Sequence, residues 1–164
     1  LNALTNLVYQ DQDKAAKFIK QLSEVYRYVL ATRDKELVSL SEEVKFLESY
    51  LFLQQIRFGD KLKVDTQLAG VEGFVAPLAL QMLIENAIKH NIIAEEQPLT
   101  IRVSAQGGKL VVENNLQHRK TLLEESSGVG LDNIKKRYAF LSDQPVAVRE
   151  EAQRFVVTLP LISE

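Results

Sequence analysis

Apolar positions recur at helical spacing through the first 58 residues, a stretch without proline that ends at Gly59. Phe18, Leu22, Val25 and Val29 form one stripe, flanked by Ile19, Tyr26 and Leu30, the pattern of a helix with one face turned to a partner. The cluster Asp11-Gln12-Asp13 predicts an interruption or a fresh cap, because Asp offers its side-chain oxygens to the free N–H groups of a helix start. Polar residues 32–36 turn the chain. Ser39-Leu40-Ser41-Glu42 then has the spacing of a capping box, and a second helix is expected over 40–58. Val44, Leu47, Leu51 and Phe58 mark its apolar face, widened by Phe46, Tyr50 and Leu53. Two helices cannot bury stripes this broad against each other alone, so a four-helix bundle built by two copies of the chain is expected.

Beyond Gly59 the period changes from that of a helix to that of a strand. Leu62, Val64 and Thr66 alternate with Lys63, Asp65 and Gln67. Gly70 and Gly73 loosen the connection that follows, and Pro77 stands where a helix begins. The pattern predicts a helix over 78–90, a strand over 99–105, a Gly107-Gly108 turn and a strand over 109–113. A polar, irregular stretch (117–127) precedes a helix over 131–141 and a closing hairpin of 146–150 and 154–159. The fold class is therefore α+β. A helical hairpin (1–60) leads into a two-layer α/β sandwich (61–164), one sheet with helices on one face.

Composition narrows the function classes. An apolar share of 46% and a charged share of 26% are those of a globular domain. With 20 basic and 22 acidic residues the formal charge is -2, which gives no reason to expect nucleic acid as a partner. The absence of cysteine excludes disulfides and thiolate metal sites. No apolar run approaches the roughly 18 residues that cross a bilayer. The chain opens on Leu1 inside a periodic pattern (Leu1, Leu4, Leu7, Val8), so it is expected to be a piece of a longer protein.

The helix over 78–90 carries the candidate chemistry. Leu80, Leu83, Ile84, Ala87 and Ile88 share one arc, while Gln81, Glu85, Asn86, Lys89 and His90 fill the other, with Met82 among them. A plain solvent face with a Glu85–Lys89 pair at i, i+4 accounts for part of this. A set of acid, amide and base on adjacent turns also has the chemistry to hold a hard cation through oxygen and to neutralise phosphates. Farther on, Gly128-Val129-Gly130 precedes a helix, an arrangement that brings backbone N–H groups close to phosphate, although an isolated G-x-G is more often a flexible loop.

The string Pro77-Leu78-Ala79-Leu80-Gln81-Met82-Leu83-Ile84-Glu85-Asn86-Ala87-Ile88-Lys89-His90 closely resembles the asparagine box of histidine kinases in the GHKL ATPase superfamily, above all its LytS/YehU-type branch. The run from Gly128 through Leu131, Asn133 and Arg137 resembles the family's second glycine box. The resemblance implies a GHKL (Bergerat-type) ATP-binding fold and the cofactors ATP and Mg²⁺. It makes Asn86 the Mg²⁺ ligand, Lys89 and His90 phosphate contacts, and Glu85 the one candidate catalytic acid. Gly128, Gly130, Asn133 and Arg137 would support the phosphates, with a short lid before them. The family's Asp-x-Gly after the middle strand is replaced by Glu113-Asn114-Asn115-Leu116. Asn114 is the substitute that would read adenine through its amide oxygen, more weakly than a carboxylate.

The N-terminal region is similar to the same branch. Leu1-Asn2-Ala3-Leu4-Thr5-Asn6-Leu7 looks like the residues that follow its phosphoacceptor motif, and Leu22 to Leu30, with Arg27-Tyr28, like the continuation. The resemblance implies a homodimer, a response-regulator receiver domain as partner, and a cytoplasmic portion of an inner-membrane protein. The phosphorylated histidine is expected just before Leu1, since His90 falls in the nucleotide site and His118 in the lid. Two other functions compete: a nucleotide-binding or scaffold module without transfer, and another ATPase of the superfamily, against which the bundle helices speak.

Overall fold

The computed structural model describes residues 2–117 and 129–163. Three helices open the chain: α1 (Asn2–Gln10), α2 (Gln12–Ala31) and α3 (Leu40–Phe58). Asp11 separates the first two as expected, its carboxylate accepting the Lys14 N–H at 3.0 Å as the N-cap of α2. Ser39 caps α3, its hydroxyl taking the Glu42 N–H at 3.3 Å. The hairpin of α2 and α3 is closed by Tyr28, whose ring stacks on Phe46 with centroids 4.4 Å apart.

A single 3-10 turn at Gly59–Lys61 leads to the sandwich. Its strands are β2 (Leu62–Gln67), β4 (Leu99–Gln106), β5 (Lys109–Asn115), β6 (Ala147–Glu151) and β7 (Arg154–Pro160), with helices α4 (Ala79–His90) and α5 (Val129–Leu141) between them. The order across the sheet is β2-β4-β5-β7-β6. β2 runs parallel to β4, and every other pair is antiparallel. Val103, Val112, Val157 and Val148 stand opposite one another across four strands. Leu99, Ile101, Val103, Leu110, Val112 and Leu159 are buried on the helix side. The opposite side is solvated: Arg102 lies between Asp65 at 3.8 Å and Glu113 at 3.7 Å, and Glu113 also meets Arg154 at 3.0 Å. Exposed ion pairs of this kind contribute at most about 1 kcal/mol each. The buried face, not the ionic one, holds the sheet in place.

Three features depart from the pattern-based expectation. First, Leu40, Phe46, Leu47 and Tyr50 of α3 are buried in the same core as α4 and the sheet, while Val44, Leu51 and Phe58 are only partly buried. The stripe is rotated because α3 packs on α4 and β2 as well as α2, and it finds much of its apolar partner inside its own chain. The large apolar side chains exposed on α1 and α2 are Val8, Tyr9, Ile19, Tyr26 and Leu30. Second, two short strands, β1 (Val38–Ser39) and β3 (Phe74–Val75), pair antiparallel and stitch the α2–α3 connection to the sandwich. Two residues are too few to show alternation. Third, Gly73 does not loosen its segment. At φ +145 it passes so close to Leu161 that a Cβ would lie 2.6 Å from its Cγ.

The segment entering α4 is held from α5. The Ala76 N–H donates to the buried Tyr138 hydroxyl at 3.1 Å, and desolvation pushes that phenol up to about 12. Tyr138→Phe keeps the packing and orphans the Ala76 N–H, a change expected to cost about 1–3 kcal/mol. Urea unfolding would measure it; an unchanged midpoint would show that water replaces the hydroxyl.

Candidate functional site

The rotation of α4 is set by Leu80, Leu83, Ile84, Ala87 and Ile88, all buried against the core. The remaining residues fall on two flanks. Gln81 and Glu85 lie towards α3: the Gln81 amide donates to the Glu85 carboxylate at 2.6 Å, and both act on the Tyr50 phenol. The pair at i, i+4 that forms here is therefore Gln81–Glu85. Met82 lies towards α5, lining a cavity of about 40 Å³ with Ala76, Ala79, Asn133, Ile134, Arg137 and Tyr138. Asn86 follows Met82 by one turn on this flank and is half-buried. Lys89, exposed, and His90, half-buried, occupy the last turn, where the Lys89 charge complements the helix dipole.

The structure thus brings Asn133 and Arg137 to the Met82–Asn86 flank of α4, and it sets Glu85 on the other. Gly130 lies in the first turn of α5, whereas Gly128 lies outside the described residues, as do His118 and all of the expected lid over 117–127 except Gln117. Asn114 is buried at the end of β5, on the same face as Leu110 and Val112. Its amide nitrogen donates to the Asn115 carbonyl at 2.8 Å. Asn115 closes the sheet edge instead: its side chain takes the Thr100 N–H at 2.8 Å and donates to the Pro98 carbonyl at 3.2 Å. Arg137 donates to the Pro77 carbonyl at 3.1 Å, so it also supports the entry to α4.

Could these residues take Mg²⁺? Among the described residues no group of three or more His, Cys, Asp or Glu side chains is placed to hold a metal. A protein-only cage is not what Mg²⁺ needs, because it keeps several waters and takes phosphate oxygens beside one or two protein ligands. A half-buried amide such as Asn86, with cations one turn away, fits a metal that arrives with polyphosphate.

Residues that the sequence pattern did not single out secure both ends of α4. At its C-terminal end, buried Asn91 donates to the Ala87 carbonyl and accepts the Gln117 N–H, both at 2.8 Å. The Gln117 amide nitrogen reaches the carbonyls of Ile92, Gln97 and Pro98 at 3.1–3.2 Å. At the N-terminal end lies Glu43 of α3, fully buried. Its Oε2 accepts the Tyr28 hydroxyl at 2.6 Å, while Oε1 has no hydrogen bond of full geometry. Burial raises the Glu43 pKa. The Tyr28 bond, the Leu78 and Leu80 amides and the Arg137 charge pull it partly back.

The chain is similar to known proteins in sequence and in fold. Residues 1–62 match the family model described as Histidine kinase. The chain is 32% identical over 154 residues to the sensor protein LytS of Staphylococcus saprophyticus, covering 84% of this chain and 26% of that protein. It thus spans about a quarter of the length of the curated relatives it matches. In fold it is similar to the histidine kinase AdeS of Acinetobacter baumannii, with TM-score 0.52, 12% identity, and coverage of 96% of this chain and 85% of that one. It is also similar to the catalytic domain of histidine kinase ThkA, with TM-score 0.52, 14% identity, and coverage of 78% and 97%. These two likenesses bear on the fold alone. They bear out the α+β expectation of N-terminal helices leading to a GHKL-type sheet.

The burial of Glu43 makes stability depend on pH. Its folded-state pKa lies above the ordinary 4.5, so the native state binds the proton more tightly than the unfolded chain. Stability falls as pH rises from 4.5 towards the raised value. Glu43→Gln removes this titration, so its Tm relative to the parent's should rise as the pH is raised from 4.5 to about 7. Calorimetry of both proteins across that range checks it; a constant difference would mean that Glu43 ionises normally.

Proposed function

We propose, from the premise that this chain is a GHKL-type histidine-kinase domain related to the LytS sensors, that it binds Mg-ATP and serves ATP-dependent phosphorylation of a histidine. The observation that carries the reading is the fixed rotation of α4. Its buried arc leaves Asn86 half-buried at the margin of the packed face, and the helix closes on Lys89 and His90.

On this reading residues 61–164 form the ATP-binding unit, and 1–60 the dimerisation and phosphotransfer helices. Asn86 would hold the Mg²⁺, which when bound neutralises phosphate charge. Lys89 and His90 would contact the phosphates, and Gly128, Gly130, Asn133 and Arg137 would line the same side. Catalysis of this kind is mostly positioning and charge neutralisation. Asn114, with its amide nitrogen occupied by the Asn115 carbonyl, would present its oxygen to the adenine amino group. Glu85 remains the candidate acid, although its place beside Gln81 and Tyr50 favours a supporting role. The phosphoryl group would pass to a histidine supplied by a longer protein, and then to an aspartate of a response regulator. That protein would be a membrane-anchored sensor with this chain on the cytoplasmic side. Exposed Val8, Tyr9, Ile19, Tyr26 and Leu30 supply an apolar surface for a second copy. No helix among the described residues is long and apolar enough to cross a membrane.

A second reading, nucleotide binding without transfer, is favoured by one feature: Asn114-Asn115 stands where the family carries Asp-x-Gly. The two part on acid-labile phosphate in the longer protein, which only the kinase would form. For the site itself, Asn86→Ala should weaken Mg²⁺-dependent binding of a fluorescent ATP analogue at least about tenfold, the loss of one metal ligand and its charge-assisted contacts. Binding equal to the parent's would sink the assignment.

A further inference from the structure

Helix α4 begins without a capping side chain of its own. The residue at the N-cap position is Leu78, in the left-handed region at φ 66, and it provides no side-chain hydrogen bond. A helix start leaves several N–H groups without partners. An acid beside that start is Glu43 from α3, close enough that the Leu78 and Leu80 amides favour its charged form. Its Oε1 is buried without a full hydrogen bond, while Oε2 is taken by Tyr28 of α2. One carboxyl group therefore stands where three helices meet.

We propose that Glu43 is a positioning residue that couples the helical hairpin to the first turn of α4, holding Tyr28 on one side and standing in for the missing N-cap on the other. This rests on the reading of α4 as the nucleotide helix and concerns how that site is regulated. The groups facing the carboxyl are Tyr28 from α2, the Leu78 and Leu80 amides of α4, and Arg137 and Tyr138 of α5, with Glu42 beside it on α3 acting on Tyr28. Tyr28 is well placed to report hairpin motion. Its ring is clamped on Phe46, and its backbone carbonyl accepts the Thr32 hydroxyl at 2.8 Å. A shift of α2 against α3 withdraws the phenol. The carboxyl then loses its one full hydrogen bond in a place water cannot reach, and a buried acid without its partner is costly. The remaining donors are the α4 amides and Arg137, so the start of α4 must adjust.

The test is hydrogen exchange on the full chain and on Tyr28→Phe, Glu43→Gln and the double variant. Tyr28→Phe keeps the ring on Phe46 and removes only the hydroxyl. Both single variants should speed exchange at Met82, Leu83 and Ile84 about tenfold beyond any change in β4 and β5. The double variant should add little to Glu43→Gln alone, because both act through one carboxyl. Affinity for a fluorescent ATP analogue with Mg²⁺ should fall several-fold in each. An increase equal in α4 and the β4–β5 strands, or a Tyr28→Phe effect confined to α2 and α3, would overturn the coupling. If Glu43→Gln does not fold, Tyr28→Phe decides by the same pattern. Should the parent chain not bind the analogue, the nucleotide reading fails, and the exchange pattern still decides the role of Glu43.

Discussion

The burial of one face of α4 is the constraint on which the rest of the molecule depends. Leu80 and Ile84 are completely enclosed, and Leu83, Ala87 and Ile88 nearly so. Each large side chain contributes roughly 1.5–3 kcal/mol by leaving water, and together they leave the helix a single rotation. The polar residues follow from that rotation, with Gln81 and Glu85 on the α3 side and Met82 and Asn86 on the α5 side. A helical register shift of one residue would turn the set by about 100° and bury Glu85 or Asn86 in place of an aliphatic side chain. The candidate site is a consequence of packing before it is a matter of chemistry.

Rotation alone does not position a helix; its ends must be held too, and here both are held by residues distant in sequence. Asn91 closes the C-terminal end through Ala87 and Gln117. The N-terminal end rests on Tyr138 through Ala76, on Arg137 through Pro77, and on Glu43. Glu43 is fully enclosed, and a carboxyl in such a site is stabilised only by what touches it. When Glu43 is ionised, its charge at the start of α4, with Lys89 at the other end, agrees with the direction of the helix dipole.

Much of this was legible in the residues. The change from a 3.6-residue period to alternation located the start of the sheet, Gly107-Gly108 located the β4–β5 turn, and Ser39 and Asp11 were caps because their side chains have the right acceptors. The polar flank of α4 was evident from its variety of functional groups. Other features had no local trace. β1 and β3 are too short to have a period. A glutamate in an amphipathic helix is ordinarily solvated, and Glu43 differs only because α2, α4 and α5 converge on it, which is a property of tertiary packing. Leu78 in the left-handed region is equally illegible, since leucine rarely adopts it. Gly73 reads in sequence as a flexible link, but its missing side chain makes room for Leu161. The rotation of α3 went unseen for a similar reason: amphipathicity shows that a face is buried, not which neighbour buries it.

Arg137 joins α5 both to the entry of α4 and to Glu43. Its position in the second glycine box implies a phosphate contact, yet in the fold it donates to the Pro77 carbonyl and places its charge beside Glu43. A guanidinium has five N–H donors in a rigid fork, so one bond to a carbonyl leaves donors for an anion. Its single positive charge cannot be divided in the same way. On the proposed reading, a polyphosphate drawn towards α5 would compete with Glu43 for that charge and leave the buried carboxyl more inclined to keep its proton. If nucleotide binds as proposed, it and the proton on Glu43 would be linked through Arg137.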